Sequence, residues 1–118
     1  MLSSRHRLPK EEITNVLRHG MHVRSEIIEL VYKKTTGLPR FVPRSGTPLA
    51  KPRFAFIVST KIDKRATARN RMRRTMSESV RHLLAKIGSI DGIIIAKKNF
   101  ADLPQTKVEK IVISLLRL

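Results

Sequence analysis

The chain has 118 residues, of which 25 are Lys or Arg and 9 are Asp or Glu, for a formal net charge of +16. That length supports one domain around one hydrophobic core, and 41% hydrophobic with 29% charged residues is a folded rather than a disordered balance. Such a charge lies far outside the habit of enzymes acting on small molecules and points to a polyanion, while the absence of cysteine excludes disulfides, thiolate chemistry and zinc fingers and fits a cytoplasmic setting.

Residues 1–8 are short, polar and basic, lack the apolar core of a signal peptide, and are expected to be loosely ordered until Leu8. A helix then begins. Pro9 suits its first position, Glu11 and Glu12 its first turn, and Gly20 stops it after Arg18 and His19, with Ile13, Val16 and Leu17 as its apolar face. From Met21 the pattern turns extended: Val23, then Ile27, Ile28, Leu30, Val31 and Tyr32 broken by Glu26 and Glu29, read as one or two strands. Alternation puts Ile28, Leu30 and Tyr32 on one face, and plain core packing is the simplest reading for Ile28 and Leu30.

Residues 35–52 hold four prolines and two glycines, too many breakers for a regular element, and form a long basic loop. Arg53 to Ser59, RFAFIVS, is β-rich and apolar on both faces, which predicts a central strand. It runs into KIDKRATARNRMRRTMSESVR, Lys61 to Arg81, with eight Lys or Arg against Asp63 and Glu78. At 100° per residue, Ala68, Met72, Met76, Val80, Leu83, Leu84 and Ile87 make one apolar stripe. Asn70, Arg71, Arg74 and Arg81 lie opposite, and Arg69 and Arg73 emerge along the flank of the stripe.

A merely solvated helix face interleaves Glu with Lys at i,i+4; this one repels itself until a polyanion arrives. Six of the eight cations are arginine, whose planar fork suits phosphate oxygens and stacking on bases. A membrane partner fits poorly, because no apolar run approaches a transmembrane length and the basic helix has no Trp or Phe on its apolar side.

Gly88 and Ser89 mark a turn, Ile90 to Ala96 with Ile93, Ile94 and Ile95 reads as the most buried strand, and Val108, Ile111, Val112, Leu115 and Leu116 recur at helical spacing. The order α-β-β-β-α-β-α predicts an α+β fold, a mixed four-stranded sheet with three helices packed mostly on one face.

The run from Arg53 through Arg81 resembles the protein subunit of bacterial ribonuclease P, whose mark is an Arg-Asn-Arg core in a basic helix following a strand. Arg69, Asn70 and Arg71 stand at that core, Lys61, Lys64 and Ala66 precede it, Arg73 and Arg74 follow it, and Arg7 with Leu8, Gly20 and the Ile93 to Ala96 strand fall in order. The resemblance implies a left-handed βαβ crossover and a protein that binds the catalytic RNA and helps it remove the 5′ leader of precursor tRNA, with the RNA and its Mg2+ ions doing the chemistry. It implies RNA contacts from Lys61, Lys64, Arg65, Arg69, Asn70, Arg71, Arg73, Arg74 and Arg81, and a leader cleft between the first helix and the sheet. Ile13, Leu17, Ile28, Leu30, Tyr32 and Phe56 are expected to share that face. The chain departs from the family pattern in several places: Ile13 and Leu17 stand where phenylalanines are usual, the usual strand tyrosine aligns with Val31 rather than Tyr32 unless the strand carries a bulge, Ser77 replaces a commonly basic residue, and the loop at 35–52 is longer than usual.

No catalytic residue and no protein-bound metal or small-molecule substrate is expected. His19 and His22 flank Gly20 with no acid suitably placed, His6 and His82 have no recognisable partner, and the nine acids are scattered where a self-sufficient nuclease would cluster them. No GxGxxG or GxxxxGK[ST] loop occurs. A structural RNA-binding protein such as a ribosomal protein shares the composition, and only the placed Arg-Asn-Arg helix separates the two.

Overall fold

The computed structural model describes residues 6–34, 52–87 and 90–116; the loop expected at 35–52, except Pro52, and the turn at Gly88 and Ser89 lie outside them. The first helix, α1, spans Lys10–His19 with Pro9 as its N-cap, Glu11 and Glu12 in its first turn and Arg18 and His19 in its last, an arrangement that matches the helix dipole at both ends. Gly20 ends it by donating its N–H to the Val16 carbonyl at 2.7 Å. Its backbone is extended, so glycine is required for space: a Cβ there would lie 2.4 Å from the Val16 carbonyl oxygen and 2.8 Å from Val31 Cγ1.

Strands β1 (Met21–Arg24) and β2 (Ile28–Lys34) form an antiparallel hairpin. Its turn is pinned by Ser25, whose backbone N–H and hydroxyl both donate to the Ile28 carbonyl at 2.8 and 2.9 Å. Strand β3 is Arg53–Ile57, α2 is Ala66–Leu83 followed by a 3-10 turn at Leu84–Lys86, β4 is Ile90–Ala96 and α3 is Gln105–Leu116. The sheet runs β1-β2-β4-β3, with β2 and β4 antiparallel and β3 and β4 parallel. The expected α+β architecture, three helices on a mixed four-stranded sheet, is what forms.

Two elements differ from the sequence reading. β3 is an edge strand, not a central one, and it stops at Ile57; β4 takes the centre. The outer edge of β3 is covered by the segment before α1, where Arg7 bridges to Phe54, Leu8 N–H donates to the Phe54 carbonyl at 2.9 Å and His6 Nδ1 lies 2.8 Å from the Pro52 carbonyl. His6 to Leu8 are therefore ordered by the sheet, against the expectation for residues 1–8.

The pleat divides the core. Ile28, Leu30, Phe54, Ile94 and Ala96 face α2 and α3, where Met72, Met76, Val80, Val108 and Val112 close over them. On the other face, Val31 and Ile93 meet Val16 and Leu8, with Ile13, Ala55, Ile57 and Ile95 partly covered. Burial of a side chain such as Met72 or Val80 stabilises by about 1.5–3 kcal/mol. The rotation of α2 follows: with Ala68, Met72, Met76, Val80 and Leu83 on the sheet and Ser77 and Ser79 buried beside them, Asn70, Arg71, Arg74 and Arg81 are turned to solvent.

Candidate nucleic-acid interface

The outward side of α2 carries Asn70, Arg71, Arg74 and Arg81, all exposed, and Arg69 and Arg73 are half-buried along its flanks. This is the distribution that the helical spacing predicts. Lys61, Lys64 and Arg65 are also exposed but precede the helix, which begins at Ala66 rather than at Lys61. The first turn of α2 contains no acid, and the anion at the positive end of its dipole is Asp63, two residues before the N-cap Arg65.

Several of these cations hold the turn before α2. Asp63 accepts hydrogen bonds from the Arg65 backbone N–H at 2.8 Å, from Arg65 Nε and Nη2 at 3.2 and 3.0 Å, and from Asn99 Nδ2 at 2.8 Å. Those bonds from Arg65, foremost among the causes, hold the Asp63 carboxyl far below the usual carboxylate range. Arg69 Nη1 donates to the main-chain carbonyls of Asp63 and Lys64 at 3.0 and 2.8 Å. Arg73 donates to the Asn70 side-chain oxygen, and Arg81 donates to Glu78 at 2.7 and 2.9 Å, pulling that carboxyl down to about 2.

A pocket of about 460 Å3 opens between α2 and β3, with Phe54 and Phe56 on one side and Asn70, Arg73, Arg74 and Ser77 on the other. A second, of about 380 Å3, lies on the far side of the same ridge, where Asn70 and Arg74 recur beside Arg71 and Gln105. Asn70 and Arg74 thus stand between two depressions.

The six residues expected to share a leader face do not share one. Ile13 packs on the α1 side of the sheet, and Leu17, on the same helix, is 37% exposed. Ile28, Leu30, Tyr32 and Phe56 face α2 and α3 instead. Ile28 and Leu30 are fully buried and offer nothing to a ligand. β2 pairs without a bulge from Tyr32 opposite Met21 to Glu29 opposite Arg24, so Val31, not Tyr32, points toward α1. The half-buried residues that do accompany Ile13 on that face are Ala55, Ile57 and Ile95.

Sequence reading missed an ionic cluster on the α1 face. Glu29, 3% exposed, lies 2.7 Å from His22 Nδ1, 3.1 Å from Lys97 Nζ and 3.6 Å from Arg24 Nε. The His22 hydrogen bond, then Lys97 and Arg24, keep its carboxyl below the ordinary range although burial opposes this. His22 therefore has an acidic partner after all, one that strand pairing brings from seven residues away. His82 has two: Glu109 of α3 at 2.9 Å and Glu78 at 3.9 Å. Only the alternation of Arg24 and Glu29 across a hairpin could have signalled the first cluster.

A polybasic helix laid across one face of a mixed β1-β2-β4-β3 sheet, with a second helix alone on the other, defines a small α+β domain organised around that helix. The chain belongs to the ribonuclease P protein family, whose family model, described as Ribonuclease P, matches residues 2–118. The ribonuclease P protein component of Xanthomonas campestris pv. campestris is 37% identical over 75 residues, 63% of this chain and 49% of that protein. That of Serratia proteamaculans is 37% identical over 70 residues, 51% of this chain and 59% of that protein. The chain spans about half the length of the curated relatives it matches. The RNase P protein of Staphylococcus aureus superposes with a TM-score of 0.75 at 17% identity, covering 95% of this chain and 93% of that one. That of Thermotoga maritima gives 0.73 at 18%, covering 95% and 96%. Both likenesses concern the fold.

Proposed function

We propose that this chain binds the catalytic RNA of ribonuclease P in the cytoplasm and assists that RNA in cutting the 5′ leader from precursor tRNA. The observation that carries the reading is the outward face of α2, where Asn70, Arg71 and Arg74 are exposed over a core-facing stripe of Ala68, Met72 and Met76. Phosphate contacts from such a face supply affinity and orientation, and they release counterions from the RNA. Cleavage itself belongs to the RNA and its Mg2+ ions. The protein lowers the repulsion between RNA subunit and substrate, an effect of positioning rather than of proton transfer. Among the described residues no helix is long and apolar enough to cross a membrane.

The leader strand, on this reading, lies on the α1 side of the sheet. There Ile13 of α1 stands with Ala55, Ile57 and Ile95, Leu17 of the same helix is exposed, and Lys97 and Arg24 at the Glu29 end supply positive charge. The contacts are aliphatic, so grip on the bases comes from packing and phosphate attraction rather than from ring stacking.

The deciding experiment is cleavage of a precursor tRNA by a bacterial ribonuclease P RNA at low magnesium, with and without this protein. Accurate 5′ maturation restored by the protein, which stays inactive alone, is the expected result. Binding to the RNA with cleavage unchanged reduces α2 to a general phosphate-binding surface and overturns the proposal.

A further inference from the structure

The pocket between α2 and β3 is more than a phosphate-binding helix requires. Its size, about 460 Å3, falls in the range of small-ligand sites and accepts one nucleotide but no duplex. The chain has only four Phe and one Tyr, and two of those rings, Phe54 and Phe56, lie here with centroids 6.5 Å apart and planes within 15°. Phe54 is buried and its ring packs over Gly92, whereas Phe56 is half-exposed. An edge strand thus presents an aromatic surface to the opening.

The opposite wall is polar. The Asn70 side-chain oxygen accepts from Arg73, and its NH2 is a donor. Arg73 and Arg74 line the same opening. An aromatic surface, an amide donor and the guanidinium groups of Arg7, Arg73 and Arg74 converge on a space of nucleotide size.

We propose that this pocket takes one unstacked nucleotide of the partner RNA. Its base rests against Phe56, a carbonyl of the base accepts from Asn70 Nδ2, and its flanking phosphates lie on Arg73 and Arg74. This rests on the RNA-binding reading above and adds to it a requirement for an unpaired position in the RNA, since a base held in a duplex cannot reach an aromatic wall. The arginines outside the pocket read only charge.

The test compares binding of a bacterial ribonuclease P RNA across a salt series by the wild type, Phe56→Leu and Arg71→Gln, with each protein's unfolding temperature recorded. Phe56→Leu keeps apolar volume beside Phe54 and is expected to weaken binding about tenfold with the salt dependence unchanged. Arg71→Gln, outside the pocket, is expected to make the salt dependence shallower by about one ion. Ultraviolet crosslinking of the wild-type complex is expected to join the peptide containing Phe56 to a single unpaired nucleotide, and this settles the matter should Phe56→Leu fail to fold. Wild-type affinity in a folded Phe56→Leu, or crosslinks that avoid that peptide, overturns the pocket while leaving RNA binding standing. Failure of the wild type to bind the RNA overturns both.

Discussion

Arg69 is folded back onto the turn that precedes its own helix, its Nη1 donating to the carbonyl of Asp63 at 3.0 Å and, beside it, to that of Lys64 at 2.8 Å. Arg71, two residues on, is exposed. The two arginines that flank Asn70 are thus unlike: one fastens the start of α2, and the other is offered to a partner.

Their substitution separates these roles. Arg69→Gln is expected to lower stability by about 1 kcal/mol, the usual worth of such hydrogen bonds, seen as a lower unfolding temperature before any RNA is added. Arg71→Gln leaves the unfolding temperature in place and weakens RNA binding, most at low salt. Equal thermal effects of the two variants would show that Arg69 has no structural task.

Glu29 gives the acid limb of stability. Its folded pKa lies below the ordinary value of 4.5, chiefly through His22. The ionised form is therefore favoured by folding, and its contribution is complete above about pH 4.5 and disappears as pH falls through the depressed folded value. Unfolding temperature should fall on acidification below pH 4.5. In Glu29→Gln it should be lower at pH 7, where Lys97 and Arg24 lose their counter-charge, and should change less with acid. A titration of identical slope for both proteins would place the acid sensitivity elsewhere.

Gly92 of β4 faces the Phe54 ring of β3, and a Cβ there would fall 2.7 and 2.9 Å from two of its ring carbons. Gly92→Ala is expected to displace that ring and to destabilise by about 1–3 kcal/mol, the ordinary cost of overpacking. Because Phe54 supports Phe56, the same variant should weaken RNA binding at temperatures where it remains folded. Chemical denaturation and RNA titration of one preparation measure both.

Multivalent anions should stabilise the free protein. Arg69, Arg71, Arg73 and Arg74 fall within six residues of one helix whose first turn has no acid, so their mutual repulsion opposes folding. Inorganic phosphate near 100 mM is expected to raise the unfolding temperature by about 5 °C through binding to the folded form. Chloride at matched ionic strength should do less. Equal effects of the two salts would indicate screening alone.

Helical spacing made α2 readable almost residue by residue, because an isolated amphipathic helix states which side it buries: Ala68, Met72, Met76, Val80 and Leu83 are all buried, as is Ile87 beyond it. Strands carry less information of this kind. Alternation correctly joined Ile28, Leu30 and Tyr32 on one face but cannot say which helix covers it, and α1 covers the other. RFAFIVS looked central because both its faces are apolar. At the sheet edge those residues instead supply the half-covered surfaces, Phe56 beside α2 and Ala55 with Ile57 beside α1. The partners of Glu29 and His82 were hidden for a related reason, since both depend on register or helix packing between distant segments.

The covering of the β3 edge by His6 to Leu8 bears on self-association. An edge strand rich in phenylalanine is a template for pairing with another chain, and a protein of net charge +16 is protected from its own copies by repulsion while it is free. Neutralisation by a polyanion removes that protection. The short parallel bridge from Arg7 to Phe54, with the bond from Leu8 to the Phe54 carbonyl, keeps the edge occupied when charge no longer holds two copies apart.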